Sequence, residues 1–285
     1  MTTKHTLLTL LVMALFGSAF VVGKLVLNTN IPPILFGAIR MLIVFVCLLP
    51  FWNFEIPNKK YFKPLIIFSL SMGVFVTLFM YLAIETSSIV SPIIIGAQLT
   101  VPVGIILSSI FLKEKISHNK WFFVVSAFCG IIFIGFDPEI MNNILALILT
   151  ALMAFFYAVA NVVSRQIKNI SVVTQTAFMS LVGFIILFSM SYYFEGNTLN
   201  YIKNINFNTW LLILHAALAV SLIAHMSLFY LYKFYTVGTV FPFYSLFPIF
   251  GLIQTFLIFG EIPSILVTLG GIIVIGSVFT LQKIR

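Results

Sequence analysis

The chain has 285 residues, of which 61% are hydrophobic and 8% charged, and its formal charge is +8. Soluble domains carry about 25% charged residues, so most of this surface cannot face water, and continuous apolar runs without a period of two exclude an outer-membrane barrel. In a polytopic membrane protein the positive excess reports loop topology rather than a polyanionic partner, and nothing points to nucleic acid.

Ten apolar runs of about 20 residues recur along the chain, each long enough at about 1.5 Å per residue to cross a hydrocarbon core of about 30 Å. They are predicted as helices over approximately 7–27, 33–53, 63–83, 89–112, 120–136, 143–164, 173–194, 209–232, 236–259 and 264–281. The first resembles a signal peptide in having Lys4 before an apolar stretch, but no small-residue cleavage site ends it. Lys24, at its far end, is expected to snorkel to the interface, as is Arg165 at the end of the sixth span.

The second span holds Arg40 within "PPILFGAIRMLIVFVCLLPFW" (32–52), about 10 Å below its outer end by helical rise. A guanidinium at that depth costs about 2.5 kcal/mol or more unless it meets carbonyls, water or an anion. It therefore serves either as a counter-charge for a substrate carboxylate or as a structural anchor bonded to helix-end carbonyls. Spans four and nine carry Pro92, Pro102, Pro242 and Pro248, which are expected to bend them, either as gating kinks or as fixed kinks that shape a static fold. Gln98, Tyr157, Asn161 and Tyr244 are polar groups inside spans, expected to line a substrate cavity with Arg40, and Tyr157 and Asn161 are one helical turn apart. Such groups also serve as interhelical hydrogen-bonding glue. His225, mid-way along the eighth span, is the best titratable candidate for proton coupling, because no Asp or Glu lies mid-span. Cys47 and Cys129 lie in apolar runs and are expected to pack rather than pair.

Lysine and arginine gather on one side of the spans, and Glu85, Asp137, Glu139, Glu195 and Glu261 on the other, which places both termini in the cytoplasm. The chain also repeats itself. "ALFGSAFVVGK" (14–24) answers to "FFYAVANVVSR" (155–165), pairing Gly17 with Ala158 and Lys24 with Arg165. "SSIVSP" (87–92) answers to "VGTVFP" (237–242), "IFLKE" (110–114) to "LIFGE" (257–261), and "FCGI" (128–131) to "VIGS" (274–277). Each half, 1–138 and 139–285, then holds five spans, and an odd number inverts the second half relative to the first. The fold expected is all-α, with ten transmembrane helices in two inverted five-helix repeats.

These motifs resemble the drug/metabolite transporter superfamily and, within it, the ten-helix EamA family. The resemblance rests on "LFGSAFVVGK" (15–24), "FGAIR" (36–40), and a proline followed at 12 or 13 residues by glutamate, Pro102 to Glu114 and Pro248 to Glu261. The family's tryptophan in the first motif is Phe16 here, with Tyr157 as its twin. An arginine at position 40 is ordinary in that family, which favours the anchor. The resemblance implies a secondary transporter moving a small polar organic metabolite by alternating access, an amino acid or amino-acid derivative first, with export favoured. Lipid bilayer, substrate and either protons or a counter-substrate are the partners expected. A non-transporting scaffold, a lipid-modifying subunit or a passive channel is the alternative.

No H-E-x-x-H, G-x-S-x-G or Walker A sequence occurs, so neither an enzyme nor a metal or other cofactor is expected. Twelve lysines against three arginines fit an AT-rich bacterial genome, and the inner membrane is the expected location.

Overall fold

A computed structural model describes residues 1–53, 57–113, 116–232, 234–235 and 240–283. Glu114, Lys115, Lys233 and Arg285, and residues 237–239 of the second repeat motif, lie outside the described residues. Among the described residues every element is helical. Nine helices among the described residues are long and apolar enough to span a membrane: α1 (Thr3–Leu27), α2 (Pro33–Phe51), α3 (Lys59–Thr86), α4 (Ser91–Phe111), α5 (His118–Gly135), α6 (Ile144–Ser164), α7 (Val172–Phe194), α8 (Phe207–Leu228) and α10 (Ile265–Lys283). The shorter α9 (Phe243–Phe259) lies between α8 and α10 in the chain. The protein is a multi-pass membrane protein.

Each helix start must satisfy backbone N–H groups that have no partner within the helix. Local side chains do this for α1, α3, α5, α7 and α8, where Thr2, Asn58, Ser117, Ser171 and Asn206 accept from backbone N–H groups two or three residues on. Helices α2 and α4 begin with Pro32-Pro33 and Val90-Ser91-Pro92 and have no such cap. Distant glutamates take its place. Glu195, just past α7, accepts from the N–H of Ile34 at 2.7 Å and of Leu35 at 2.9 Å. Glu261, just past α9, accepts from the N–H of Val90 at 2.9 Å and of Ser91 at 2.7 Å, and from the Ser91 hydroxyl. At the same end, Asp137 accepts from Ser264, whose hydroxyl caps α10. We call this the acidic end, and the end holding Lys4, Lys59, Lys60 and Lys120 the basic end.

Lys24 departs from expectation. It does not snorkel but donates to the carbonyls of Ile84 (3.2 Å) and Ser87 (2.7 Å), closing the C-terminal end of α3, where a cation is favoured by the helix dipole. The prolines also sit differently. Pro92 opens α4, and Pro242 opens a 3₁₀ turn, Phe241–Leu246, rather than bending a helix. A break does occur in α4, as a 3₁₀ turn at Ala97–Leu99, and Pro102 and Pro248 each lie in the first turn of the α-helix that follows a 3₁₀ turn. A missing N–H matters little there.

Packing follows the repeat. Helix α2 lies along α7 and α5 along α10; α1 crosses α9 as α6 crosses α4; α1 lies against α8 as α6 lies against α3. Exchanging each helix for the one five positions away maps this set onto itself. Helices α3 and α8 also share a feature with no local sequence signature: each contains a π-helical stretch, Ser69–Val76 and His215–Ala224. In both, a side chain reaches the carbonyl five residues back, Thr77 to Met72 and Ser221 to Ala216.

Burial holds the Glu195 carboxyl above the usual carboxylate range, and the Glu85 charge adds to this. Such a group binds its proton more readily in the folded than in the unfolded chain. Its contribution to stability is therefore fullest at acid pH and is lost as pH rises through the folded value. Acidification from neutrality is expected to stabilise the native protein relative to Glu195→Gln. Parallel stability–pH curves for the two proteins would contradict this.

Candidate functional site

Arg40 projects from α2 towards α3 and α8. Its Nε donates to the Ser221 hydroxyl at 2.9 Å and its Nη1 to the Tyr81 hydroxyl at 2.8 Å. Both partners depend on the π-helical stretches: Ser221 lies within one, and Tyr81 is five residues past the end of the other. Tyr81 is itself sealed, 1% exposed, and its ring lies 5.9 Å from the guanidinium carbon. A guanidinium has five N–H donors, so these two bonds leave three without an acceptor among the described residues. Arg40 is half-buried, and its Nη2 is not among the sealed, unpartnered atoms. Solvent therefore reaches it.

The other residues anticipated for a cavity connect to this point. Tyr157 packs against the core cluster that holds Tyr81, and His225 lies four residues past Ser221 on α8. His225 donates from Nδ1 to the Val220 carbonyl at 3.1 Å, since a carbonyl can only accept, and this leaves Nε2 as its free lone pair. The His225 ring meets Phe16 edge-on at 4.9 Å, and Phe16 stacks on Tyr244 at 5.6 Å. Gln98 donates to the Tyr244 carbonyl at 3.2 Å, tying α4 to α9. Tyr157 is half-buried with no hydrogen bond to its hydroxyl among the described residues, and that oxygen is not sealed. Tyr81 and Ser221 complete the group but have no signature in the sequence. Cys47 and Cys129 are free.

Asn161 shows where the interior opens. Leu145, Ile148, Leu152 and Phe155 form the exposed apolar stripe of α6. Asn161 lies on the opposite face, in line with the buried Thr150 and Ala154, yet it is exposed. The face that is packed at the acidic end of α6 is thus open at its basic end. At the acidic end, residues 91–99 of α4 are buried without interruption. A hollow of about 570 Å³ at that end, lined by Asn30, Glu85, Glu195 and Tyr201, is a wide-mouthed surface feature of opposite charge to the Arg40 site.

The repeat-related contacts are unequal. A Cβ added to Gly17 in α1 would lie 2.7 Å from the Gly251 backbone nitrogen and 2.8 Å from the Phe247 carbonyl oxygen in α9, so those backbones touch. At the counterpart position a Cβ added to Gly104 in α4 meets only the Ala158 Cβ in α6, at 3.9 Å, although nearer the acidic end one added to Gly96 would lie 2.6 Å from the Thr150 Cγ2 of α6.

Among known proteins, the model of the EamA-like transporter family matches this chain twice, over residues 3–136 and 144–282. A protein of Acidianus ambivalens, described as an uncharacterized transporter in the sor 3′ region, is 27% identical over 164 residues, covering 56% of this chain and 62% of that one. The match thus spans less than two thirds of the relative's length. One solved crystal structure superposes with a TM-score of 0.61 at 15% identity, over 98% of this chain and 96% of the other, a likeness of fold alone.

Proposed function

The chain belongs to the EamA-like transporter family, and from that footing we propose that it is a secondary carrier that moves a small polar organic metabolite across the inner membrane by alternating access. The halves 1–138 and 139–285 act as the two inverted repeats, with both termini and the basic end in the cytoplasm. Amino acids or their derivatives are the leading substrate class, and export the favoured direction. The substrate sits among Arg40, Gln98, Tyr157, Asn161, His225 and Tyr244. The Nε2 of His225 is the site for a coupled proton, should a counter-substrate not drive the cycle instead.

One observation carries this reading: the matched contacts differ, Gly17 against Gly251 being tight and Gly104 beside Ala158 open, while α4 and α6 still touch at Gly96 and Thr150 towards the acidic end. In an inverted repeat the opposite conformation would exchange these two states, which supports reading this structure as one half of a transport cycle. A scaffold has no use for such a pair. Cysteine labelling tests the reading. With Cys47 and Cys129 replaced by serine, Asn161→Cys in sealed vesicles is expected to react with a membrane-impermeant maleimide added to the cytoplasmic face, and less when transported substrate is cycling. Equal reaction from both faces, unaffected by substrate, would instead indicate a passive channel.

A further inference from the structure

We infer that the site around Arg40 recognises a single carboxylate, on a substrate that carries no ammonium group. The occupant would be an organic acid or an amino-acid derivative of that kind, such as a 2-oxo acid or an N-acyl amino acid. The inference rests on the carrier reading above and narrows it.

The first argument is the state of the guanidinium. An anchoring arginine satisfies its donors with carbonyls or a carboxylate. Arg40 instead meets two neutral hydroxyls, which fix its plane through Nε and Nη1 and leave the Nη2 edge unsealed and without a partner among the described residues. That edge is pre-organised: Ser221 is itself held by the Ala216 carbonyl at 3.0 Å, and Tyr81 is locked by burial. A planar fork with two adjacent free N–H groups matches a carboxylate. The Tyr157 hydroxyl, without a partner among the described residues and on a side chain packed against the cluster that holds Tyr81, supplies a further neutral donor.

The second argument is charge balance. All seven acidic residues of the chain lie at or beyond the ends of spans, and Lys24, in the last turn of α1, is engaged by α3 carbonyls. The interior therefore holds one uncompensated positive charge. One carboxylate neutralises it. A phosphate would bring more negative charge than a single arginine balances, and a zwitterion would bring an ammonium for which the interior offers only neutral acceptors. The aromatic wall of Phe16, Tyr244 and His225 beside the site suits an apolar body behind the carboxylate.

The full chain in proteoliposomes tests this with three probes on one carbon skeleton: 4-methyl-2-oxopentanoate, leucine and leucinamide. Vesicles are loaded with 2-oxo acids, with amino acids or with amino-acid amides, and counterflow of the matching labelled probe is measured. The oxo acid is expected to be carried in preference to the other two. Arg40→Gln should lower its kcat/KM by about tenfold to a hundredfold, the usual worth of a charged hydrogen bond. Tyr157→Phe, which removes an oxygen with no partner and so leaves folding intact, should raise KM for the oxo acid severalfold. Carriage of leucine but not of the oxo acid would overturn the inference while leaving the carrier reading standing. Unchanged oxo-acid kinetics in folded Tyr157→Phe and Arg40→Gln proteins would also overturn it. Counterflow of no probe from any pool, in vesicles holding folded protein, would count against both.

Discussion

Glu261→Ala is expected to lower stability by about 3 kcal/mol. The carboxylate accepts from two backbone N–H groups on residues that are themselves sealed, Val90 at 1% and Ser91 at 0% exposure. Removing it leaves two buried donors without acceptors, each costing about 1–3 kcal/mol, in addition to the loss of a helix cap worth about 1 kcal/mol. Glu261→Gln should recover part of the loss, because its amide oxygen still accepts from one N–H while its NH₂ faces the other. Thermal unfolding of the detergent-solubilised proteins, followed by tryptophan fluorescence, ranks the three. If alanine and glutamine variants melt with the native protein, the cap does not hold α4 in place.

A second large effect separates stability from turnover. Gly17→Leu drives a side chain into the backbone of α9, where no rotamer change can make room, and should cost about 3 kcal/mol or more. Gly104→Leu is expected to behave differently, since the space beside Gly104 is open apart from the Ala158 Cβ at 3.9 Å. It should melt close to the native protein yet transport poorly. On the alternating-access reading, the opposite conformation closes α4 on α6 at Gly104 as α1 now closes on α9 at Gly17, and a bulky side chain there opposes it. A penalty of about 1.4 kcal/mol on that state already reduces its population about tenfold. Counterflow measured beside thermal unfolding resolves the two variants, and full transport by Gly104→Leu would show that α4 and α6 never close at Gly104.

The parts of the fold that were legible in the sequence are those set by long-range averages. Span count, repeat order and the small residues at Gly17 and Ala158 follow from hydropathy over about 20 residues and from matched motifs, and neither needs the neighbours to be known. Details fixed by a partner far along the chain were not legible. Lys24 looks like a snorkelling end residue until the C-terminal end of α3 is beside it. Pro92 looks like a kink until Glu261 makes that point a helix start. For the site, Arg40 was conspicuous because charge in an apolar run is rare. Tyr81 and Ser221 were not, since a tyrosine or serine in a span is commonplace and the π-helical turns that aim them have no compositional mark.

The distant caps also bear on how the chain matures. The acceptors that complete the starts of α2 and α4 lie 161 and 171 residues downstream. At about 5–20 residues per second, roughly 10–30 s of synthesis separate each helix start from the carboxylate that finishes it. Through that interval the N–H groups of Ile34, Leu35, Val90 and Ser91 need another acceptor, from water at the interface or from the insertion machinery. The first half therefore waits, membrane-embedded but unfinished, and arrival of the second half closes both of its open helix starts.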